Sequence, residues 1–274
     1  MNYLKLTLEA EDKTVNDILV AHLSDFEFNG FSEEEGILVA YINEEDYNQK
    51  LQETLGDLKA QYQLSIQQEL VADQNWNAKW ESDYEPVWVD DFCAVRATFH
   101  QPITTVKHEI VVTPKMSFGT GHHATTYMMM KQMEKLDFSA KTVFDYGCGT
   151  GVLAILAQKL GATTLDAIDI DKWAYENTLE NVAINNCGDT IGVYCGEIDA
   201  APAQKYDVVL ANINRNVILG TMDRMAARLK DGGVLLTSGF LEEDIDLVVK
   251  AAAEHGLKLV DTMKREKWRC LVLG

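Results

Sequence analysis

The chain lacks the patterns that mark a membrane protein, an oxidised compartment or a nucleic-acid binder. No apolar run in its 274 residues approaches the ~20 residues that a membrane-spanning helix needs. Met1-Asn-Tyr-Leu-Lys5 lacks the basic segment and apolar stretch of a secretion signal. A soluble, unprocessed, cytoplasmic protein with no membrane partner is therefore expected. Cysteine is sparse: Cys93, Cys148, Cys187, Cys195 and Cys270 are odd in number and never spaced C-x-x-C. That spacing offers neither a disulfide framework nor a zinc site, and it fits a reducing compartment. Basic residues are short too, with 24 Lys and Arg against 43 Asp and Glu, a net charge of −19. Direct binding to a nucleic-acid backbone is excluded on that balance, because phosphate contacts need a basic face. No repeat or low-complexity tract is present.

The acidity is uneven. Residues 1–70 carry fifteen acidic and four basic side chains, a balance of −11. A basic partner would be steered towards such a field, although surface acidity that serves only solubility remains an alternative reading. The same stretch alternates strand and helix patterns. Residues 2–8 show period-two apolarity, 14–26 a helical face, 36–42 a strand after an acidic turn, 47–60 a helix and 62–71 a strand. A small two-layer α+β sheet close to the ferredoxin-like split β-α-β is predicted over residues 1–71. It contains no catalytic constellation. Residues 72–100 read as a connector in which Trp76 and Trp80 share a helical face as packing anchors. Paired strands are predicted between Val87 and Phe99.

The third part, residues 101–274, is organised around Thr142-Val-Phe-Asp145-Tyr-Gly147-Cys-Gly149-Thr-Gly151. A β-branched and aromatic strand ends in acid, three alternating glycines follow, and an apolar helix runs to Gly161. Glycines there allow a sharp turn and close approach of a ligand, and a helix N-terminus offers free N–H groups. The spacing is not that of the dinucleotide fingerprint, because Val152 stands where its third glycine belongs. Gly-x-Gly-x-Gly after an acid resembles motif I of the class I S-adenosylmethionine methyltransferases. Strands are also predicted at 165–171, 191–195, 206–214 and 233–239, with an antiparallel pair at 257–263 and 268–273. This alternation implies a doubly wound parallel sheet with its ligand beyond the carboxyl ends of the strands, where Asp145, Asp169, Asn212 and Ser238 fall. Asp169, some 20 residues past the glycine loop, is placed to accept from ribose hydroxyls. A second small-residue loop, Thr113 to Thr126, opens a helix whose methionines read as core filler. The adjacent His122 and His123 make a poor metal pair, and no metal is expected.

The whole chain resembles the bacterial ribosomal protein L11 methyltransferase (PrmA) family. The resemblance is carried by Met116-Ser-Phe-Gly-Thr-Gly-His-His-Ala-Thr-Thr126, where the family usually reads M-A-F-G-T-G-T-H-P-T-T. It extends to Phe144–Gly151, Ile168-Asp-Ile-Asp171, Leu210-Ala-Asn-Ile213 and the Trp76/Trp80 connector. It implies a seven-stranded Rossmann-like methyltransferase domain preceded by a ferredoxin-like domain that binds the substrate. Methylation of lysine ε-amines and the α-amine of ribosomal protein L11, a basic partner, is implied, with S-adenosylmethionine as cofactor. Thr126, Gly147, Asp169 and Asn212 then become cofactor contacts, joined by Gly149, Phe118 and Gly119, and Asn212 also becomes the catalytic residue that orients the amine. A monomer is expected. Thr113-Pro-Lys for D-P-G, His122 for Thr and Ala124 for Pro depart from the family pattern and leave the loop path open. Two other readings stand beside this one: a small-molecule methyltransferase whose first domain dimerises, and a non-catalytic module of the same fold.

Overall fold

A computed structural model describes residues 3–10, 15–34, 36–71, 84–115 and 117–274. Trp76, Trp80 and Met116 lie outside the described residues. The chain divides into two compact units, Met1–Asp83 and Tyr84–Gly274.

In the first unit, β1 (Tyr3–Glu9), α1 (Asn16–Leu23), β2 (Phe28–Glu34), β3 (Ile37–Asn43), α2 (Gln49–Tyr62) and β4 (Ser65–Val71) follow in order. The four strands form one sheet in the order β2-β3-β1-β4, every neighbour antiparallel. Period-two patterning sends Leu6, Leu8, Leu38, Ala40 and Ile42 to one face, where Leu19 and Leu23 of α1 and Leu51, Leu55 and Leu58 of α2 complete the core. Asn48 caps α2, its side chain accepting from Leu51 N at 3.1 Å. The strand β2 occupies the stretch read as an acidic turn. It is an edge strand with a register shift between Phe28 and Gly30. An edge tolerates a glycine, a bulge and a run of acids that would not suit a central strand, and so its pattern is weak.

The second unit begins earlier than the sequence reading places it. Instead of belonging to a connector that ends at residue 100, β5 (Val87–Val89) and β6 (Cys93–Ala97) pair antiparallel, and β6 pairs in parallel with β7 (His108–Val112). The parallel pairing, set by contacts that no local pattern announces, draws residues 84–100 into this unit. After α3 (Ala124–Met133) come β8 (Thr142–Tyr146), α4 (Val152–Lys159), β9 (Thr164–Asp169), α5 (Lys172–Ile184) and β10 (Ile191–Cys195). They are followed by β11 (Tyr206–Asn212), α6 (Arg215–Ala227), β12 (Leu229–Leu241), α7 (Ile245–Ala253), β13 (Leu259–Arg265) and β14 (Trp268–Leu273). The large sheet runs β10-β9-β8-β11-β12-β14-β13. Pairings are parallel from β10 to β12, while β14 is antiparallel to both its neighbours.

The central strands of this sheet are covered on both faces, which suits the continuous apolar run Val208–Ala211 of β11. Val143 faces a core shared with Met129, Met130 and Met133 of α3 and with α4. Phe144, the next residue, faces a core with Met222 and Met225 of α6 and Val248 of α7. The methionines of α3 are fully buried, as expected of core filler. Among the described residues, no helix is long and apolar enough to cross a membrane.

Two asparagines of α5 and Asn185, which caps its C-terminus, join this framework to the loops above it. Asn185 exchanges hydrogen bonds with both backbone groups of Val111 on β7. Asn181 accepts from Thr113 N at 2.8 Å and donates to Thr150 O at 2.9 Å. Asn177 donates to Thr113 O at 3.1 Å. Spaced four apart, the side chains align and pair backbone that would otherwise be left open.

Candidate active site

The carboxyl ends of the parallel strands open onto a cleft of about 860 Å³. Its walls come from the strand ends in sheet order: Gly196 and Glu197 after β10, Asp169 on β9, Tyr146 and Gly147 at β8, Asn212 on β11. Gly239 of β12 and Trp268 of β14 continue the row. Phe118 and His123 come from the loop between β7 and α3 and complete the wall.

The glycine loop turns at Gly147, Gly149 and Gly151, all with positive φ. At Gly149 the need for glycine comes from the protein itself as well as from any ligand. A Cβ there would lie 2.2 Å from Phe118 O. The 117–119 backbone crosses the glycine loop at that point and is held to it by Thr150, whose N donates to Phe118 O at 3.0 Å and whose Oγ1 donates to Gly119 O at 2.9 Å. At Gly147, φ is +74° and a Cβ would meet Ile213 Cγ2 at 2.2 Å. The two motifs singled out in the sequence are therefore one assembly.

Asp169 lines the cleft in a fixed orientation. Oδ2 accepts from Gly149 N at 2.9 Å and Oδ1 from Asp171 N at 3.0 Å. Each oxygen keeps a lone pair for a further donor. Asn212 is 8% exposed and also lines the cleft. Its Nδ2 donates to Thr126 Oγ1 at 3.1 Å, while its buried Oδ1 has no hydrogen-bond partner. A buried amide oxygen left open is costly, and here it borders the cavity. It is a built-in acceptor for a donor brought by a ligand.

The remaining candidates divide. Phe118, half-exposed, lines the cleft with its ring. Thr126 is buried behind Asn212 and Gly119 lies beneath Phe118; neither is part of the main cleft wall. Ser238 turns away, its hydroxyl donating to Arg269 O at 2.6 Å. Asp145 is buried under the loop, with Oδ2 accepting from Ala154 N at 3.1 Å and Oδ1 unpartnered. Burial, with the Asp169 carboxylate adding to it, pushes the Asp145 carboxyl up to about 7 despite the Ala154 amide.

Sequence reasoning missed three rings. His123 is the N-cap of α3; its Nδ1 accepts from Thr125 N and lies 2.7 Å from Thr125 Oγ1. The cap satisfies one of the free N–H groups at the helix start. The ring packs edge-to-face between Phe118, at 5.2 Å, and Trp268, at 4.7 Å. Trp268 reaches the cleft because β14 inserts beside β12. Trp173, on the first turn of α5, is also in the wall. His122 points elsewhere: Nε2 donates to Glu85 O at 2.9 Å and Nδ1 faces Thr120 Oγ1 at 3.0 Å. Among the described residues no cluster of His, Cys, Asp and Glu could hold a metal.

The family model described as ribosomal protein L11 methyltransferase (PrmA) matches residues 7–274. The chain belongs to the ribosomal protein L11 methyltransferase family. A protein of that name from Porphyromonas gingivalis is 41% identical over 97% of this chain and 92% of its own length. One from Chlorobaculum tepidum is 35% identical over 97% of this chain and 94% of its own. A solved structure described as a ribosomal protein L11 methylase, from Lactobacillus delbrueckii subsp. bulgaricus, superposes with a TM-score of 0.64 at 27% identity. It covers 70% of this chain and 98% of that one. A methyltransferase from Pyrococcus furiosus, 14% identical, shares the fold with a TM-score of 0.52. The second unit thus has a class I methyltransferase-like α/β fold with a mostly parallel central sheet.

Proposed function

We propose that this protein is an S-adenosylmethionine-dependent protein methyltransferase that methylates amines of ribosomal protein L11, its lysine ε-amines and its N-terminal α-amine. The open acceptor at Asn212 Oδ1, on the wall of a cleft floored by the glycine loop, carries the reading. The residues present fit the cofactor. Asp169 supplies oriented acceptors for vicinal hydroxyls, and the turn at Gly147 leaves backbone bare at the cleft floor. S-adenosylmethionine, when bound, supplies an activated methyl group, so what the chain contributes is binding, alignment and desolvation.

In this reading Asn212 is the catalytic residue. Its carbonyl accepts one N–H of the incoming neutral amine and thereby directs the nitrogen lone pair. Thr126 is a positioning residue that holds the amide the right way round. A lysine at neutral pH must first lose a proton, which costs about 4–5 kcal/mol from an ordinary pKa near 10.4. An α-amine, with a pKa near 8, costs only about 1 kcal/mol. The rings of Phe118, His123 and Trp268 give the amine an apolar surround, which favours its neutral form. No residue of the site is assigned as a general base, and the proton leaves to solvent. The same rings attract a cationic product through their faces.

The first unit is proposed as a ferredoxin-like module that recruits the basic substrate. Its strand order with two helices on one face supports the topology, and the −11 balance of residues 1–70 supports the partner's charge. A monomer acting in the cytoplasm, without direct nucleic-acid contact, is part of the proposal. Purified protein should bind S-adenosylhomocysteine in a calorimeter and transfer labelled methyl groups to L11. Binding without transfer to L11 would leave the small-molecule alternative in possession of the site.

A further inference from the structure

The stretch that brings Phe118 and His123 to the cleft, residues 117–123, belongs to no helix or strand. Glycines at 119 and 121 leave its path open, so ties to its neighbours must set that path. Its first half is tied to the glycine loop through Thr150. Its second half is held from another side. Gly121 packs against Val87 of β5, whose Cβ lies 3.4 Å from where a Cβ on the glycine would stand. His122 comes next and is exposed, so burial does not account for its placement. Its ring is nevertheless engaged three times. Nε2 donates to Glu85 O at 2.9 Å, Nδ1 faces Thr120 Oγ1 at 3.0 Å, and the ring stands edge-on to Tyr84 at 4.9 Å.

The segment that His122 grips is itself fixed. Tyr84 O accepts from His100 Nε2 at 2.6 Å, and the two rings stack with centroids 6.0 Å apart. His100 Nδ1 in turn accepts from Ala97 N at 3.1 Å, at the end of β6. Contacts therefore run unbroken from β6 through His100 and Tyr84 to His122. The next residue, His123, both caps α3 and lines the cleft. Such a chain of packed and hydrogen-bonded side chains can fix a loop that has no regular structure of its own.

We infer that His122 is a positioning residue for methyl transfer. By tying the 117–123 stretch to residues 84–85, it holds the rings of Phe118 and His123 where they surround the incoming amine. The inference rests on the proposed amine site and gives the 84–100 segment a task, as the bracket on which that loop hangs. A shift of about 1 Å at a reacting centre can cost about a hundredfold in rate. The tie through Thr150 survives the loss of His122, so a smaller effect, about five- to thirtyfold, is expected. Cofactor affinity should hardly change, because the glycine loop and Asp169 do not depend on this side chain.

The test compares the full chain with His122→Ala, His122→Asn and His122→Gln in three measurements: the single-turnover rate of methyl transfer to L11, calorimetric binding of S-adenosylhomocysteine, and amide hydrogen exchange over residues 117–123 without ligand. A glutamine amide reaches the position of Nε2 and can donate to Glu85 O, whereas an asparagine amide reaches only that of Nδ1. Ala and Asn should slow transfer about five- to thirtyfold and speed exchange of the loop, with S-adenosylhomocysteine affinity within about threefold of the parent. Gln should stay within about threefold of the parent in all three. Melting should be alike in the four proteins, as the exposed side chain covers no core. Transfer by both Ala and Asn within about twofold of the parent overturns the inference. So does a loss that Gln fails to restore, or one matched by an equal loss of cofactor affinity or of stability. If the parent binds S-adenosylhomocysteine yet methylates no L11, the amine site fails by itself; loop exchange then decides whether His122 holds the loop, and exchange unchanged in Ala and Asn overturns that too.

Discussion

The Asn212 amide nitrogen donates to Thr126 Oγ1 at 3.1 Å, and that contact anchors the amide at the edge of the cleft. Its oxygen is buried and left without a partner, in a residue that lines the cleft. A leucine or valine at position 126 would free the amide to flip. In the proposed reading Thr126, which the sequence reading has touching the cofactor, acts through Asn212.

Asn212→Ala should lower the rate of methyl transfer by about a hundredfold, the scale seen when an oriented polar group is removed from a reacting centre. Folding stability should change by no more than about 1 kcal/mol, because only one hydrogen bond is lost and an unpaired oxygen goes with it. Thr126→Val should reproduce much of the rate loss, and Thr126→Ser should not. Steady-state rates beside denaturant melts check this; equal rates in the parent and Asn212→Ala would reduce Asn212 to a strand-end turn residue.

Asp169→Ala should weaken S-adenosylmethionine binding by at least about tenfold, the worth of a hydrogen bond to a charged acceptor. The loss has two sources, since the carboxylate also holds Gly149 N and Asp171 N. Asp169→Asn, which keeps one acceptor, should fall between. Calorimetry on the three proteins decides, and unchanged affinity in the Ala variant would remove the ribose assignment.

Much of this arrangement was legible in the sequence. The strand before Gly147, the acid at 169 and the amide at 212 each end a strongly patterned strand, and a doubly wound sheet must gather such ends on one side. What stayed hidden depended on long-range pairing. Edge strand β2 hid behind Gly30 and its acids, and the parallel pairing of β6 with β7 moved residues 84–100 out of the connector. Asn177, Asn181 and Asn185 carry no local sign of their role, and only the fold shows them holding β7, the loop after it and the glycine loop. Trp268 carried no local sign of a site at all. Gly149 was read as room for a ligand, and the room is taken in part by Phe118 O.

The buried Asp145 gives a pH dependence of stability with a definite sign. Its carboxyl titrates near 7 in the folded protein, chiefly through burial, and near 4 when unfolded. Between about pH 4 and 7 the folded state therefore holds a proton that the unfolded state has lost, and stability falls as pH rises through that window. Asp145→Asn should remove this contribution, since the amide oxygen still accepts from Ala154 N. Its melting temperature relative to the parent should climb between about pH 5 and pH 8. A constant difference over that range would show that Asp145 is ionised in the fold.

Recruitment by the first unit is tested by truncation and salt. A fragment should begin at Tyr84, not near residue 101, because removing β5 and β6 strips β7 of its partner. Such a fragment should bind S-adenosylhomocysteine like the full chain yet lose most activity on L11, since remote docking supplies the positioning of a flexible lysine. Apparent affinity of the full chain for L11 should weaken with salt, as screening acts over about 8–10 Å at physiological strength. A fragment as active on L11 as the full chain would end the recruitment role.

The most direct test of the whole account is the intact mass of purified L11 after incubation with this protein and S-adenosylmethionine, read beside the same reaction with Asn212→Ala. The expected result is a ladder of added methyl groups on L11, located by fragmentation to lysines and the N-terminal amine, with the ladder nearly absent in the variant. L11 of unchanged mass, under conditions where the protein demonstrably binds S-adenosylhomocysteine, would contradict the account.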